Sequence, residues 1–332
     1  MTAAEGREPA VEARDGLVVE DLSVSLNTPQ GVITPVQRAT LSVAPGEKVA
    51  VVGETGCGKS VLLKSLLRLL PPKVLHSLTG SVRVGDAELV GATERVLNRA
   101  RREDVGVVFQ DASSYLNPTM PIGEQVAEVV PGRGNTRAKV QEVFRSVGLP
   151  NTPEYLGRYP HELSGGMRQR VMIAVALARE PRILLADEPT TALDVTVQAG
   201  ILERLDQLVQ STGLGLLIVT HDLGVVAELC DRVYVMYAGQ IVESGAVADV
   251  FGAPEHPYTS RLMACVLDVD EPGELRSIPG SVPSPFAFPT GCRFRDRCEQ
   301  AMDVCGEEPG LVAESGRQVR CWLHTDVEVL RT

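Results

Sequence analysis

The sequence predicts a layered α/β fold with a largely helical insertion and an irregular C-terminal extension. Short apolar strands alternate with amphipathic helices over most of the chain, which is the pattern of helices packed on a sheet. Between about residues 112 and 180 the pattern is mostly helical, and after about residue 251 Pro and Gly interrupt the periodicity. These changes define a mobile N-terminal tail over residues 1–16, an α/β domain over 17–250 and an extension over 251–332.

Length and charge narrow the classes of function. The chain has 332 residues, 44% of them hydrophobic, and a net charge of -11. That charge argues against broad affinity for nucleic acid, which depends on Lys and Arg neutralising phosphates. The apolar runs are shorter than the roughly 20 residues that a membrane-spanning helix needs, and residues 1–16 lack the apolar core of a signal peptide. We therefore expect a soluble protein in a reducing compartment, where cysteines remain thiols or metal ligands.

The elements can be assigned in order along the chain. Alternating polar and apolar residues in LVVEDLSVSL and ITPVQRATLSV predict two strands, and the apolar run KVAVVG predicts a buried third strand. The helix SVLLKSLLRLL follows and ends before Pro71 and Pro72. The insertion contains the helical segments TRAKVQEVFRSVGL and GGMRQRVMIAVALARE. Beyond it we predict the strands RILLADEP, LGLLIVTH and VYVMYAGQIVESG and the helix VTVQAGILERLDQLVQ.

The segment GETGCGKS lies between the third strand and the first helix and fits the pattern GxxxxGK(S/T) in full. Glycines let the backbone curl around phosphates, and the helix N-terminus turns unpaired N–H groups toward the anion. We expect Lys59 to reach the β- and γ-phosphates of a nucleotide and the Ser60 hydroxyl to bind Mg²⁺. The predicted cofactor-binding residues of this phosphate loop are Gly53, Glu54, Thr55, Gly56, Cys57, Gly58, Lys59 and Ser60.

Two adjacent carboxylates end the predicted strand RILLADEP. Asp187 suits the Mg²⁺ shell of a nucleotide site. Glu188, one residue further on, suits the orientation or deprotonation of an attacking water. A pair of acids after a buried strand is a weak signal alone, because most such pairs are helix caps or solvated turns. The phosphate loop makes it a strong one.

A second phosphate-binding arrangement lies in HELSGGMRQR. Ser164, Gly165 and Gly166 precede a long helix, so that a hydroxyl and backbone amides meet at a helix N-terminus. Together with the phosphate loop and the acidic pair, this segment resembles the ATP-binding subunits of ABC transporters, in which LSGGM is the family signature. The resemblance covers residues from about 17 to 250, with the motifs in the family's order.

The resemblance implies an ABC-type P-loop ATPase core with an antiparallel β subdomain and a helical subdomain at about 112–180. It implies a head-to-tail dimer that sandwiches two ATP molecules, with each signature segment facing the nucleotide bound to the opposite protomer. Gln110 in VVFQD matches the family's Q-loop glutamine, which contacts Mg²⁺ or water. Leu193 and Asp194 in TALD match the D-loop at the dimer interface, and His221 in IVTHD matches the switch histidine near the γ-phosphate.

Each of these three matches also has an ordinary structural interpretation. Taken alone, Gln110 is a polar strand end, Asp194 a helix cap and His221 a turn histidine. The joint match favours the functional interpretation. The residues expected to be catalytic are then Glu188, His221 and Gln110, and Mg²⁺ is expected at Ser60, Gln110 and Asp187.

Two longer segments, DASSYLNPTM and LSGGMRQRVMIAVALAREPRILLADEPTTALDVTVQAGIL, resemble the dipeptide and oligopeptide importers, more narrowly their D-type ATPase subunit. The resemblance implies a peripheral ATPase on the cytoplasmic face of the membrane that powers peptide import. It implies three kinds of partner: an F-type second ATPase in a heterodimer, two transmembrane permease subunits and an extracytoplasmic solute-binding protein. It implies no nucleic acid. The alternatives are an importer of nickel or another small solute, a homodimer, and a soluble regulatory ATPase.

Two features of the nucleotide site lead to further expectations. The family places an aromatic side chain on adenine upstream of the phosphate loop, but residues 22–46 contain no Phe, Tyr or Trp. We expect an aliphatic contact from Leu26 or Ile33 instead, with weaker discrimination between ATP and GTP. Cys57 lies near a helix N-terminus, which lowers a thiol pKa, so we expect it to react with alkylating reagents.

Four of the seven cysteines lie in the last 41 residues, separated by five, six and fifteen residues. These spacings fit poorly to structural zinc sites, which use short CxxC-like hairpins, whereas cubane clusters accept loops of varied length. The stretch also resembles the cysteine-containing extension of peptide importers, some of which carry a 4Fe-4S cluster. We therefore expect a cluster, with zinc, unmetallated thiols or a disulfide as alternatives. The expected ligands are Cys292, Cys298, Cys305 and Cys321.

Overall fold

The structure is a computed structural model of the chain, and it describes residues 16–132, 136–190, 195–265, 278–314 and 316–325. The expected N-terminal tail lies almost wholly outside these residues. The strands are β1 (Leu17–Thr28), β2 (Gly31–Val43), β3 (Lys48–Val52), β4 (Leu75–Val84), β5 (Ala87–Glu88), β6 (Val105–Val108), β7 (Ile183–Asp187), β8 (Gly215–Thr220), β9 (Arg232–Tyr237), β10 (Gln240–Ala246), β11 (Val312–Glu314) and β12 (Arg317–Val319). The α-helices are α1 (Lys59–Leu66), α2 (Glu94–Arg99), α3 (Ala112–Tyr115), α4 (Ile122–Val129), α5 (Thr136–Ser146), α6 (Pro153–Leu156), α7 (Gly165–Leu177), α8 (Val195–Thr212), α9 (Leu223–Leu229), α10 (Val247–Gly252) and α11 (Pro257–Ala264).

A mixed sheet forms the centre of the molecule, in the strand order β11-β12-β10-β9-β3-β8-β7-β6. The strands from β9 to β6 are parallel to their neighbours, so their carboxyl ends meet at one edge. Alternate residues of β3 enter different apolar clusters: Ala50 and Val52 belong to one, Val49 and Val51 to the other. A parallel sheet covered on both faces explains why these strands are continuous apolar runs. The predicted α/β fold is confirmed.

A second, antiparallel sheet has the order β2-β1-β4-β5. Its strands alternate buried and exposed residues, which is typical of a sheet with one solvated face. The buried residues of β1 pack in the same cluster as Val49 and Val51 of β3, so this sheet covers one face of the central sheet. The phosphate loop, which follows β3, therefore starts next to this antiparallel sheet.

Helices α3 to α7 lie between β6 and β7 and form the insertion that the sequence predicts. Their core contains Phe144 of α5 and Tyr155 of α6, whose rings meet edge to face with centroids 6.5 Å apart. Among the described residues, no helix has both the length and the apolar character needed to cross a membrane.

The C-terminal extension joins the central sheet, which the sequence pattern does not predict. Strand β12 pairs with β10, with Val319 opposite Glu243, and β11 pairs with β12. Each of these two strands has only three residues, too few for a recognisable alternation. The extension is thus held against the domain that carries the phosphate loop. The boundary at residues 250 and 251 stays a prediction.

Candidate functional site

The phosphate loop connects β3 to α1, as the sequence predicts. Two of its glycines are required by close approach: a Cβ at Gly53 would clash with the carbonyl oxygen of Met236, and one at Gly58 with that of Pro35. Both have positive φ, 153° and 110°, a conformation that favours glycine. The Lys59 ammonium is buried and donates to the carbonyl oxygens of Gly53 at 2.6 Å and Glu54 at 3.0 Å. The backbone of the loop therefore holds the lysine.

Asp187, at the end of β7, faces the start of α1. Ser60 Oγ donates to Asp187 Oδ1 at 3.1 Å. Burial raises the pKa of the Asp187 carboxyl, and the hydrogen bond from Ser60 and the Lys64 ammonium oppose this rise. Two oxygen atoms that could bind a metal ion thus lie next to each other at the base of the phosphate loop.

Glu188 lies at the point where the ends of three parallel strands meet. One carboxylate oxygen, Oε1, is 2.9 Å from His221 Nδ1, and Oε2 accepts a hydrogen bond from Gln110 Nε2 at 2.9 Å. The Glu188 backbone has a φ of 47°, which is uncommon for a residue with a side chain, and its N–H donates to Val219 O at 2.8 Å. Gln110 follows β6 and His221 follows β8. The Glu188 carboxylate is thus held by one residue 78 positions before it and by another 33 positions after it.

The signature segment begins helix α7. Ser164 is the N-cap residue, and its side chain accepts from the N–H of Met167 at 3.4 Å. Gly166 allows close packing, because a Cβ there would clash with the side chain of Val197. The hydroxyl and the glycine amides are arranged at a helix N-terminus as expected. Leu193 and Asp194 of the expected D-loop lie outside the described residues.

The prediction that Cys57 is a reactive thiol is wrong. The side chain is only 1% exposed and packs in the apolar cluster that also contains Val49 and Val51 of β3. Burial raises the pKa of the Cys57 thiol, and the nearby Lys59 ammonium only partly offsets this effect. The helix-terminus argument fails because it takes no account of the desolvation of the thiolate.

The two aliphatic residues expected to contact adenine lie opposite each other. Leu26 of β1 pairs with Ile33 of β2, where Leu26 is buried and Ile33 half-buried. Their contact with a nucleotide base stays a prediction.

The four C-terminal cysteines line one small cavity, together with residues such as His256 and Trp322. The space is about 10 Å³, enough for at most one water molecule. Burial raises the pKa of the Cys292 thiol to about 11 and raises those of Cys298 and Cys321 as well. Without a bound cation, these thiols are therefore protonated at neutral pH.

The expected metal centre on Cys292, Cys298, Cys305 and Cys321 is wrong. All seven cysteines are among the described residues, and all are free thiols. Among the described residues, no group of three or more Cys, His, Asp or Glu side chains is arranged to hold a metal ion. The iron–sulfur cluster and the zinc alternative both fail on this geometry, as does the disulfide on the free thiols.

The sequence analysis missed two residues that contact the phosphate loop from the C-terminal extension. Arg297 donates to both carboxylate oxygens of Glu54, at 2.7 and 3.0 Å, and Tyr258 Oη accepts from the Glu54 N–H at 2.9 Å. The only signal in the sequence is an arginine-rich stretch, RFRDR, between Cys292 and Cys298, both of which are half-buried.

The comparisons with known proteins agree with this geometry. The family model of the ABC transporter matches residues 36–191, and that of the oligopeptide/dipeptide transporter C-terminal region matches residues 242–305. The chain is 44% identical over 302 residues to the oligopeptide transport ATP-binding protein AppD of Bacillus subtilis, covering 89% of this chain and 92% of the relative. It is 41% identical over 335 residues to OppD of Salmonella typhimurium, with 99% and 98% covered.

Solved structures give the same fold. The dimeric structure of the ATP-binding cassette MJ0796 bound to ADP and Pi superposes with a TM-score of 0.61 at 26% identity, covering 70% of this chain and 98% of that one. The protein cbiO1 of Clostridium perfringens, part of an ABC transporter complex, superposes with a TM-score of 0.61 at 27% identity, covering 71% and 90%. The chain therefore belongs to the family of oligopeptide and dipeptide transport ATP-binding proteins, and it is an ABC-type ATPase.

Proposed function

We propose that this chain binds and hydrolyses ATP to power the import of peptides across the cytoplasmic membrane. The ATPase chemistry is supported by the contacts of Gln110 and His221 with the Glu188 carboxylate. The residue before Glu188, Asp187, accepts a hydrogen bond from Ser60 of the phosphate loop. The peptide substrate is supported by the names of relatives about 41–44% identical, which are transport proteins for oligopeptides and dipeptides.

The pair Ser60 and Asp187 suits a Mg²⁺ ion. Mg²⁺ prefers oxygen ligands, is held in nucleotide sites by one or two protein groups, and takes its other ligands from phosphates and water. A hydroxyl 3.1 Å from a buried carboxylate fits this donor set, and Gln110 can add an amide oxygen. When bound, the ion neutralises charge on the β- and γ-phosphates.

The remaining steps belong to this chain's own residues. Lys59 binds the β- and γ-phosphates, and the loop amides from Gly53 to Ser60 surround them. Glu188 orients the attacking water and accepts its proton, while His221 and Gln110 fix the direction of the carboxylate. In a closed dimer, Ser164, Gly165 and Gly166 would contact the nucleotide of the opposite protomer. ATP then binds the closed state better than the open one, which is the differential affinity that a conformational switch needs.

The partners that we propose are a second ATPase of the F type, two transmembrane permease subunits and an extracytoplasmic solute-binding protein. The chain would act as a peripheral subunit on the cytoplasmic face. A heterodimer with an F-type subunit should copurify from native membranes in equal amounts with this chain, whereas a homodimer should yield no second ATPase.

The test is transport by the reconstituted complex. Proteoliposomes that contain this chain with the second ATPase, the permease subunits and the solute-binding protein should take up labelled di- and oligopeptides when ATP is supplied, and Lys59→Ala should abolish the uptake. Uptake of Ni²⁺ that peptides do not inhibit would assign the chain to the nickel alternative. ATP hydrolysis by a chain that never fractionates with permease subunits would support the soluble regulatory ATPase instead.

A further inference from the structure

The C-terminal extension contacts the phosphate loop at Glu54. The Arg297 guanidinium donates one hydrogen bond to each oxygen of the Glu54 carboxylate, at 2.7 and 3.0 Å. The Arg297 side chain is only 7% exposed and that of Glu54 is 23% exposed. A bidentate pair in this environment fixes geometry as well as charge, because the guanidinium fork matches the carboxylate.

The backbone of Glu54 is held from the same side. Its N–H donates to Tyr258 Oη at 2.9 Å, and Tyr258 is completely buried in helix α11. Tyr258 and Arg297 lie 204 and 243 positions after Glu54 in the chain. The extension therefore binds both the backbone N–H and the side-chain carboxylate of Glu54.

Arg297 is itself fixed on its other sides. It donates to Pro279 O at 2.8 Å and to Ile278 O at 3.3 Å. The guanidinium carbon lies 5.7 Å from the ring centre of Tyr237 and 5.9 Å from that of Phe294. Carbonyl oxygens and aromatic faces both favour the cation, so the guanidinium is pre-oriented toward Glu54.

Glu54 in turn contacts the lysine that faces the phosphates. Its carbonyl oxygen accepts from Lys59 Nζ at 3.0 Å, alongside the carbonyl of Gly53 at 2.6 Å. A shift of Glu54 would move an acceptor of the ammonium as well as the neighbouring loop amides. Contacts thus run without a break from Arg297 through Glu54 to Lys59.

We propose that Arg297 and Tyr258 are positioning residues for ATP, which hold the phosphate loop through Glu54 in the conformation that receives the triphosphate. A glycine-rich loop loses much conformational freedom when it orders around a ligand. An extension that orders the loop beforehand lowers this loss and so raises the affinity for ATP. This inference rests on the proposed ATPase function, since it concerns the same nucleotide site.

The test compares Arg297→Met, Glu54→Gln and the double variant of the full chain, assembled with its permease subunits. We expect each single change to raise the KM for ATP about tenfold, with kcat changed less than about twofold, because the loop acts on binding. The dissociation constant of a fluorescent ATP analogue should rise in parallel. The double variant should resemble the single variants, because residues that act as a unit give non-additive effects.

Two further variants separate positioning from general stability. Tyr258→Phe removes only the hydroxyl and should raise the KM for ATP about threefold, as expected for one neutral hydrogen bond. Arg320→Met is the matched control, because Arg320 is another arginine of the extension with a mostly buried side chain. It donates to Ile241 O and pairs with Glu308 at 3.8 Å, and both partners lie outside the phosphate loop. This variant should lower the melting temperature and leave the KM unchanged.

The outcomes are distinct. Unchanged KM values in Glu54→Gln and Arg297→Met, in a protein whose Lys59→Ala variant no longer binds ATP, would overturn the positioning role alone. A KM that rises equally in Arg320→Met would also overturn it, because the effect would then come from loss of stability. If Lys59→Ala still binds and hydrolyses ATP normally, the proposed function itself fails. Should Arg297→Met not fold, Glu54→Gln and Tyr258→Phe carry the same test.

Discussion

Glu188 and His221 form a contact of 2.9 Å between Oε1 and Nδ1, while the second carboxylate oxygen accepts from Gln110 at 2.9 Å. The carboxylate is thus held on both sides by residues that follow β6 and β8, the two strands that flank β7. Its side chain is 14% exposed, whereas that of His221 is 54% exposed. A carboxylate with a fixed direction at the edge of a site is suited to orient a water, because little reorganisation remains at the moment of reaction.

Glu188→Gln should abolish turnover and retain ATP binding. The amide keeps the shape of the side chain but cannot accept a proton, so we expect kcat to fall by about 100-fold or more. The dissociation constant for ATP should stay within about threefold. The matched control is Glu228→Gln, an exposed glutamate on α9, which should leave both quantities unchanged. Normal hydrolysis by Glu188→Gln would remove Glu188 from its proposed role.

His221→Ala should lower kcat through Glu188. Without the imidazole, the carboxylate loses its contact with Nδ1 and keeps the hydrogen bond from the Gln110 side chain. We expect kcat to fall by about tenfold or more. The double variant should be no slower than Glu188→Gln alone, because residues that act together give non-additive effects. Steady-state hydrolysis by the two single variants and the double variant measures this. Multiplicative losses would mean that His221 acts independently of Glu188.

The positions of the candidate site residues in the fold could be predicted from sequence because these residues occur in short linear motifs. GETGCGKS places Lys59 and Ser60 by chain geometry alone, and Asp187 is fixed by the strand that it ends. The contact of Glu54 with Arg297 could not be predicted, because 243 positions separate the two residues. No periodicity in the extension indicates that its strands join the central sheet.

The errors at the cysteines have one physical cause. A sequence shows the spacing of thiols but not their burial or their mutual direction. Burial raises the thiol pKa values of Cys57 and Cys292, and the cavity that the four C-terminal cysteines line is too small for a cluster. From the sequence we therefore expected a reactive Cys57 and four metal-binding cysteines, whereas the packing of these side chains opposes both.

A maleimide should label Cys265 before Cys57 in the folded protein at neutral pH. Cys265 is exposed, whereas Cys57 is 1% exposed and has a raised thiol pKa. Mass spectrometry of peptides after timed labelling checks this, with the urea-unfolded chain as the control in which all seven cysteines react. Equal labelling rates for Cys57 and Cys265 in the folded state would contradict the burial of Cys57.

Gly53→Ala should destabilise the protein and weaken ATP binding. The new Cβ would clash with the backbone carbonyl of Met236, and the φ of 153° is unfavourable for alanine. Strain of this kind costs roughly 1–3 kcal/mol. Gly252→Ala is the matched control, because a Cβ there meets nothing within 4 Å. The denaturation midpoint should fall for Gly53→Ala and stay the same for Gly252→Ala; equal midpoints would contradict the predicted strain.

The buried His256 should make the protein less stable as the pH falls. Its ring accepts the N–H of Tyr258 through Nδ1 at 3.0 Å, as the N-cap of α11, and the Glu243 carboxylate accepts its backbone N–H at 2.9 Å. Burial, and secondarily the nearby His324, lower the pKa of the imidazole from 6.5 to about 3. The folded state therefore excludes a proton that the unfolded chain binds.

The sign follows from proton binding in the two states. Between about pH 6.5 and 3 the unfolded chain binds one more proton at this position, so the free energy of unfolding falls as the pH falls, by up to about 1.4 kcal/mol per pH unit. Above pH 6.5 both states are neutral and the contribution is constant. His256→Asn keeps a side-chain acceptor for the N-cap and removes the titrating group. Urea denaturation between pH 7.5 and about 4.5 should show a weaker pH dependence in His256→Asn than in the wild-type protein. Parallel curves would mean that the imidazole is protonated in the folded state as readily as in the unfolded chain.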